Sequence, residues 1–436
     1  MIIIKRKKQM LNKILVKAMR LINDVNQRKT ISFVAMRGLS VVSNYIFSLL
    51  LIKLFSSKDY GIFVEALSIL MILSVLLKFG IDVHFVKIFS DFKSIGVPRW
   101  IQKLERKVFY ISIIIALLLI IIFQYFNLFP GTKYGITMVI LSIPVMVMVH
   151  LNSSKLRAIS SIIKYAFLNI TGRIFLSLFV LCVLYFVFNE VSVDIIYSSH
   201  FVAICILFLL SVFWTKKEFS FNKDSSEVTP LSFSSYNKPL MLKSYVTVLF
   251  LWGDRFFLSL ICMPDQVAKY DIGLKVAMLM MIAIEALKAT YAPVIARSLK
   301  DKISLTKHVK RSSFVGFFSS VIILSLLLIF GRDVLTLFGS EFIYSYPIVI
   351  VISTGYFISS FFGQADSVIE MSGLANYYIK PYFVLIGLGL LIGILLSFKL
   401  VALGMAIGFS ISNILFQLCA SRIVYSKLKI NTTPIQ

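Results

Sequence analysis

The sequence predicts an all-α polytopic membrane protein: about twelve transmembrane helices in two six-helix lobes around a central cavity. Three observations predict it. The 436-residue chain is 58% hydrophobic and 15% charged, with a mean hydropathy of +0.90, whereas soluble domains run nearer ~45–50% apolar and ~25% charged. Its apolar residues gather into runs long enough to span a bilayer, which takes ~20 residues. Its Lys and Arg residues concentrate in every second connection between those runs. A water-soluble globule is excluded. Twelve spans use about 240 residues, and no remaining connection is long enough to be a catalytic domain.

The candidate spans cover 31–55, 60–83, 108–128, 134–152, 162–188, 194–214, 240–262, 267–290, 312–330, 342–365, 381–398 and 400–421. The third, with IIIALLLIIIF at Ile113–Phe123, is the clearest, while the first, second, seventh and eighth carry charges. In hydrocarbon each backbone amide must be satisfied internally, so apolar runs of this length read as helices and not barrel strands. Ahead of the first span, Leu11, Ile14, Leu15, Ala18, Leu21, Ile22 and Val25 recur at helical spacing with Lys13, Lys17 and Arg20 between them. That pattern predicts a helix lying along the membrane surface. The opening MIIIKRKKQ has no signal-peptide pattern.

The longest hydrophilic stretch, TKKEFSFNKDSSEVTPLSFSSYNKP at 215–239, reads as a linker near the midpoint. The expected organisation is therefore a surface segment 1–30, a lobe 31–214, a linker 215–239, a second lobe 240–425 and a tail 426–436. Counted by connection, 33 Lys and Arg fall on one side of the bilayer and 6 on the other, with six more inside spans. The positive-inside rule then places both termini in the cytoplasm of a cytoplasmic (inner) membrane protein. The formal charge of +25 is topological and lipid-facing, so membrane lipids and not nucleic acid are its partners.

At an offset of 210 the two halves align: Asn44 meets Asp254, Phe47 meets Phe257, Tyr60 meets Tyr270 and Glu65 meets Lys275. Six spans per half is an even number, so the halves share one orientation about an axis along the membrane normal. The expected result is two lobes facing each other across a cleft. Pro144 in the fourth span and Pro347 in the tenth suggest matched kinks.

An ionisable group at bilayer depth costs at least ~2.5–3.5 kcal/mol on insertion scales, so it marks a partner, water or function. Such groups concentrate in the first, second, fifth, seventh and eighth spans. Arg37, Arg173, Arg255 and Lys275 are the candidate substrate cations, since Arg offers a bidentate fork to phosphate and Lys a point charge. Glu65, Asp254, Asp271 and Asp366 are the candidate acids for gating or for binding a coupling H⁺ or Na⁺. Glu65 is expected to pair with Lys275 or Arg255 in one conformation. Lys78, Asp82, Glu285 and Lys288, nearer the span ends, are expected to snorkel and form local i+3 or i+4 pairs. Tyr45, Tyr245, Trp252 and Tyr270 offer faces on which a sugar could stack, though such residues also serve as interface anchors.

Cys182, Cys205, Cys262 and Cys419 are scattered, and His84, His150, His200 and His308 have no second ligand at helical spacing, so neither a disulfide framework nor a metal site is called for. The sequence contains no GxxxxGKS/T phosphate loop, so ATP hydrolysis is not supported, and no cofactor is expected.

LIKLFSSKDYGIFVEALSILMILSVLLKFGID at 51–82, WGDRFFLSLICMPDQVAKYDIGLKVAMLM at 252–280, Pro293 and SGLANYYIKP at 372–381 resemble Wzx-type polysaccharide-unit flippases. Those belong to the multidrug/oligosaccharidyl-lipid/polysaccharide exporter superfamily, and the resemblance covers about residues 31–425. It implies a non-enzymatic protein that moves an undecaprenyl-diphosphate-linked oligosaccharide, an O-antigen or capsule repeat unit, to the outer leaflet. Alternating access coupled to an ion gradient, and a polysaccharide polymerase acting downstream, are part of that implication. Arg37, Arg173, Arg255 and Lys275 would face diphosphate or acidic sugars, with Asp254 and Glu65 gating or coupling. A drug or cation antiporter of the same superfamily is the alternative, followed by a membrane polysaccharide polymerase or lipid-sugar transferase.

Overall fold

The computed structural model describes residues 25–82, 85, 99–159, 161–188, 192–219, 233–299 and 301–434. The expected surface helix at 11–25 and most of the 215–239 linker lie outside the described residues.

Among the described residues the regular structure is entirely helical. The first bundle contains α1 (Val25–Leu54), α2 (Ser57–Leu76), α3 (Arg99–Phe126) and α4 (Lys133–Ala158). Its fifth member, α5, joins Ile162–Ala166 to Gly172–Phe188 through a π-helical segment, Phe167–Thr171, and α6 is Val193–Glu218. The second bundle contains α7 (Phe233–Ile261), α8 (Pro264–Ala277), α9 (Leu279–Ser298) and α10 (Lys302–Thr336). A short 3₁₀ segment, Ser340–Ser345, leads into α11 (Tyr346–Phe361), followed by α12 (Ala365–Met371), α13 (Ala375–Leu400) and α14 (Ala402–Leu428). Among the described residues, eleven helices are long and apolar enough to cross a membrane. The twelfth expected span, 267–290, is the bent pair α8–α9. The two pieces meet at Met278.

Helix ends follow local chemistry. Ser56 closes a capping box with Asp59, each side chain taking the other residue's backbone N–H. Thr132 accepts from Gly135 N at 2.9 Å and donates to Asp194 at 2.5 Å, which ties the start of α4 to α6. Pro144 sits inside α4 as expected. Pro347 does not kink its helix. It occupies the first turn of α11, where a missing N–H costs nothing. The proline inside a helix of the second half is instead Pro381 in α13.

Within each bundle, packing is tight. In the second, α13 and α14 approach so closely that a Cβ on Gly408 would lie 2.4 Å from the Gly389 carbonyl oxygen and 2.5 Å from Gly393. Small residues are how helices achieve contact in lipid, where no hydrophobic force drives them together. Between the bundles, α2 runs antiparallel to α7 and also packs on α8. A Cβ on Gly61 would meet the Pro264 carbonyl oxygen at 1.9 Å, and Tyr245 donates to the Leu76 carbonyl at 2.9 Å. Ser57 donates to Glu341 at 3.1 Å at the same end. Gly61→Val is therefore expected to force α2 off α8, seen as a lower melting temperature and a broadened size-exclusion profile in detergent. Wild-type behaviour would show that this seam yields easily.

The π segment of α5 holds α1. Thr171 donates to the Met36 carbonyl at 2.8 Å, and Ser40 donates to the Ile170 carbonyl at 3.1 Å. The seam between α1 and α9, by contrast, is loose, and a cavity opens there.

Candidate functional site

The bundles meet at two levels. The deeper is a buried polar network at the turn side of α1–α2 and α7–α8. Asp271 on α8 is its centre. Its Oδ1 accepts from Arg255 Nε at 2.7 Å, and its Oδ2 accepts from Lys275 Nζ at 2.8 Å and from the Tyr60 hydroxyl at 2.6 Å. Lys275 Nζ also donates to the Ser48 hydroxyl at 2.6 Å and meets the Tyr60 hydroxyl at 2.6 Å. Arg255 reaches the Leu251 carbonyl at 2.7 Å and Asp254 at 3.3 Å, while Tyr270 donates to Asp254 at 2.8 Å. Tyr45 donates to the Lys275 carbonyl. Two carboxylates and two cations balance, and Asp254, Arg255 and Asp271 are all at most 5% exposed. Such a cluster is stable only when satisfied as a unit.

Tyr270 reaches back to Asp254 on α7, whereas Tyr60, its counterpart at the offset of 210, reaches back to Ser48 on α1 at 3.2 Å and not to Asn44, the counterpart of Asp254. Glu65 does not join. It is buried on α2, and among the described residues it pairs with neither Lys275 nor Arg255; Tyr60 makes the crossing in its place. About one and a half turns of helix separate the two, so the sequence pointed to the right helix and the wrong side chain. Tyr60→Phe removes a hydroxyl shared by Lys275, Asp271 and Ser48. The expected loss is about 1–3 kcal/mol, read as a lower melting temperature without loss of fold.

The shallower level is the cavity, about 910 Å³, near the upper end of the usual range for ligand pockets. Arg37 and Val42 on α1 form one side of its mouth, and Met278, Ile282, Glu285 and Lys288 of α8–α9 form the other. Arg37 lies 3.8 Å from Glu285, and Lys288 pairs with Asp366 at 2.6 Å. Glu285 and Lys288 thus pair with α1 and α12 and not along their own helix; only Lys78–Asp82, at 2.6 Å, keeps the local i,i+4 pair expected of these four.

Of the expected site residues, Arg37 and Asp366 line this cavity. Arg255, Lys275, Asp254 and Asp271 are committed to the network, and Arg173 lies inside the first bundle, 3.5 Å from His200 Nε2. His200 Nδ1 meets Ser177 Oγ at 2.9 Å, and Ser177 donates to the Arg173 carbonyl at 2.7 Å. This network assigns the Nδ1–H tautomer. The expected chamber lined by Arg173, Arg255 and Lys275 is therefore corrected. Arg255 and Lys275 are satisfied by buried partners, Arg173 stands beside His200 inside the first bundle, and the cavity's cations are Arg37 and Lys288, accompanied by Glu285, Asp366 and Glu370. Nor do Tyr45, Tyr245, Trp252 or Tyr270 face it. Three spend their hydroxyls on the seam and the network, and Trp252 lies under the Arg255 guanidinium at 4.8 Å. The cavity's aromatics are others: Phe250, Tyr356, Tyr378, Tyr382, Phe409 and Phe416. No group of His, Cys, Asp and Glu among the described residues has the geometry to hold a metal ion.

No protein-family model and no curated protein matches the sequence. Solved structures do match its fold. "Lipid II flippase MurJ, inward closed conformation" superposes with a TM-score of 0.71 at 14% identity, covering 90% of this chain and 87% of that one. An inward-facing multidrug resistance MATE family transporter of the MOP superfamily gives 0.66 at 13% identity, covering 92% and 99%. A MOP superfamily transporter from Pyrococcus furiosus, described as having a binding pocket of reverse polarity, gives 0.60 at 13% identity, covering 94% and 98%. The fold is the one that these solved transporters share. Within that fold, the mouth between α1 and α9 and the network beneath it are this chain's candidate functional site.

Proposed function

We propose that the protein is a MOP superfamily transporter of the Wzx type that carries an undecaprenyl-diphosphate-linked oligosaccharide across the cytoplasmic membrane, with both termini cytoplasmic. The observation that supports this reading is the cavity mouth, where Arg37 and Lys288 each face a carboxylate on another helix. Arg37 is loosely held, with its side chain 46% exposed. A diphosphate offers it a bidentate partner in place of a distant Glu285. Leu39, Val42 and Ile46 on α1 and Ile282 on α9 expose apolar surface beside that mouth, which suits a polyprenyl tail remaining in the bilayer while its headgroup enters.

In this reading the substrate is moved and not chemically altered. Alternating access requires the α2–α8 side to open as the α1–α9 side closes, and the Asp271 network is the element that must part. Asp366, which shares the cavity with Lys288, is the acid placed to exchange H⁺ or Na⁺ as substrate enters; Asp254 and Asp271 serve the gate. A polysaccharide polymerase would act on the exported unit.

A drug or cation antiporter is the second reading. The three carboxylates against two cations at the cavity wall favour it, because a lone organic cation would be drawn to that excess. Deletion followed by analysis of lipid-linked intermediates separates the two. The flippase reading expects complete, unpolymerised units to accumulate on the cytoplasmic leaflet. An intact glycan with altered dye resistance would overturn it in favour of the antiporter.

A further inference from the structure

One end of the cavity is built unlike its mouth. Tyr378 and Tyr382, one turn apart on α13, stack with centroids 5.7 Å apart and planes at 14°. Phe416 on α14 lies against both, at 4.9 and 4.6 Å. Behind this aromatic wall, polar atoms have no partner. Both amide atoms of Gln364, the Gln417 carbonyl oxygen and the Tyr378 hydroxyl are buried without a hydrogen bond. All of these residues line the cavity, with the unpaired atoms themselves withdrawn into its wall.

An unpaired buried polar group costs about 1–3 kcal/mol, and three residues carry that cost on one wall. Packing alone does not ask for it: Leu or Phe at 364 and 417 would fill the space without orphaned amides. A ligand that supplies partners relieves the cost. A purely apolar drug cannot. A carboxamide both donates and accepts, as does a sugar hydroxyl, and the C–H face of a pyranose meets the negative face of an aromatic ring.

From this juxtaposition we infer that the α12–α14 end of the cavity is a sugar subsite: a pyranose stacks on the Tyr378–Tyr382–Phe416 wall and draws Gln364, Gln417 and the Tyr378 hydroxyl into hydrogen bonds. The inference rests on the flippase reading and adds an orientation to it. Gln364 lies two residues before Asp366, the partner of Lys288. The sugar nearest the diphosphate therefore enters the second bundle, while the diphosphate stays at the α1–α9 mouth.

The test titrates the full-length protein in detergent with two probes, farnesyl diphosphate and farnesyl-diphosphate-N-acetylglucosamine. The wild type is expected to bind the glycosylated probe about tenfold more tightly, the equivalent of one or two net hydrogen bonds. Gln364→Leu/Gln417→Leu is expected to erase that margin while keeping affinity for the bare diphosphate. Its melting temperature should stay level or rise, because orphaned amides are removed. Tyr382→Leu, which keeps the amides, is expected to lose part of the margin. Equal binding of both probes by the wild type, or a tenfold margin surviving in the double variant, overturns the subsite and leaves the flippase reading standing. Failure of the wild type to bind either probe overturns both.

Discussion

Asp271→Ala is expected to be the most damaging single substitution at the seam between the bundles. The side chain accepts from Arg255, Lys275 and Tyr60 at 2.6–2.8 Å, and its loss leaves Arg255 with Asp254 at 3.3 Å and Lys275 with only the Ser48 and Tyr60 hydroxyls. Breaking a buried ion cluster by removing one partner costs about 3–5 kcal/mol, which for a chain of this length corresponds to roughly 3–6 °C in melting temperature. Much of that cost is uncompensated charge and not missing contact. Asp271→Asn/Lys275→Met, which removes one charge of each sign, is therefore expected to recover at least half of the loss. Thermal unfolding in detergent checks both. A double variant no better than Asp271→Ala would mean that geometry and not charge balance holds the seam.

Lys288→Met is expected to act on transport and not on stability. The ammonium faces Asp366 at the cavity wall with its side chain 26% exposed, so solvent moderates the cost of unpairing it. If the proposed substrate diphosphate binds there, charge-assisted contacts to it would be worth about 1.5–3 kcal/mol, or roughly 10–100-fold in rate, while the melting temperature should move by only a few degrees. Arg37→Lys keeps the charge but loses the fork and should fall between wild type and Lys288→Met. The swap Lys288→Asp/Asp366→Lys separates binding from structure. It restores the ion pair, and it should leave transport low if the position of the cation matters to the substrate. Full recovery by the swap would make the pair structural.

The fold was legible because its signals are local. Hydropathy over ~20 residues marks a span whatever lies beside it, and the alternating Lys and Arg fix the count. The eighth span was legible as a run but not as two helices, since Met278 has no proline or glycine to announce its break. The site was half legible. That α1, α2, α7 and α8 carry the polar machinery followed from their charges. Which groups meet across the bundles did not follow. Tyr60 and Glu65 are equally plausible on α2 until helix rotation is known, and Lys288 looked like a snorkelling end residue until α12 folded beneath it. Tyr378, Tyr382 and Phe416 were invisible as a wall because lipid-facing aromatics read identically. The same holds for Arg173, whose partner His200 lies 27 residues away on another helix.

The proposed function requires the cavity between α1 and α9 to carry a diphosphate-linked sugar across the bilayer. It is tested most directly by reconstituting the purified protein in vesicles loaded symmetrically with a polyprenyl-diphosphate-N-acetylglucosamine, and adding an impermeant galactosyltransferase with its sugar donor outside. With wild-type protein, the whole pool is expected to become labelled as inner-leaflet molecules arrive, and with Lys288→Met labelling should slow sharply. Labelling that stops at the outer-leaflet share, as in vesicles without protein, would rule that function out.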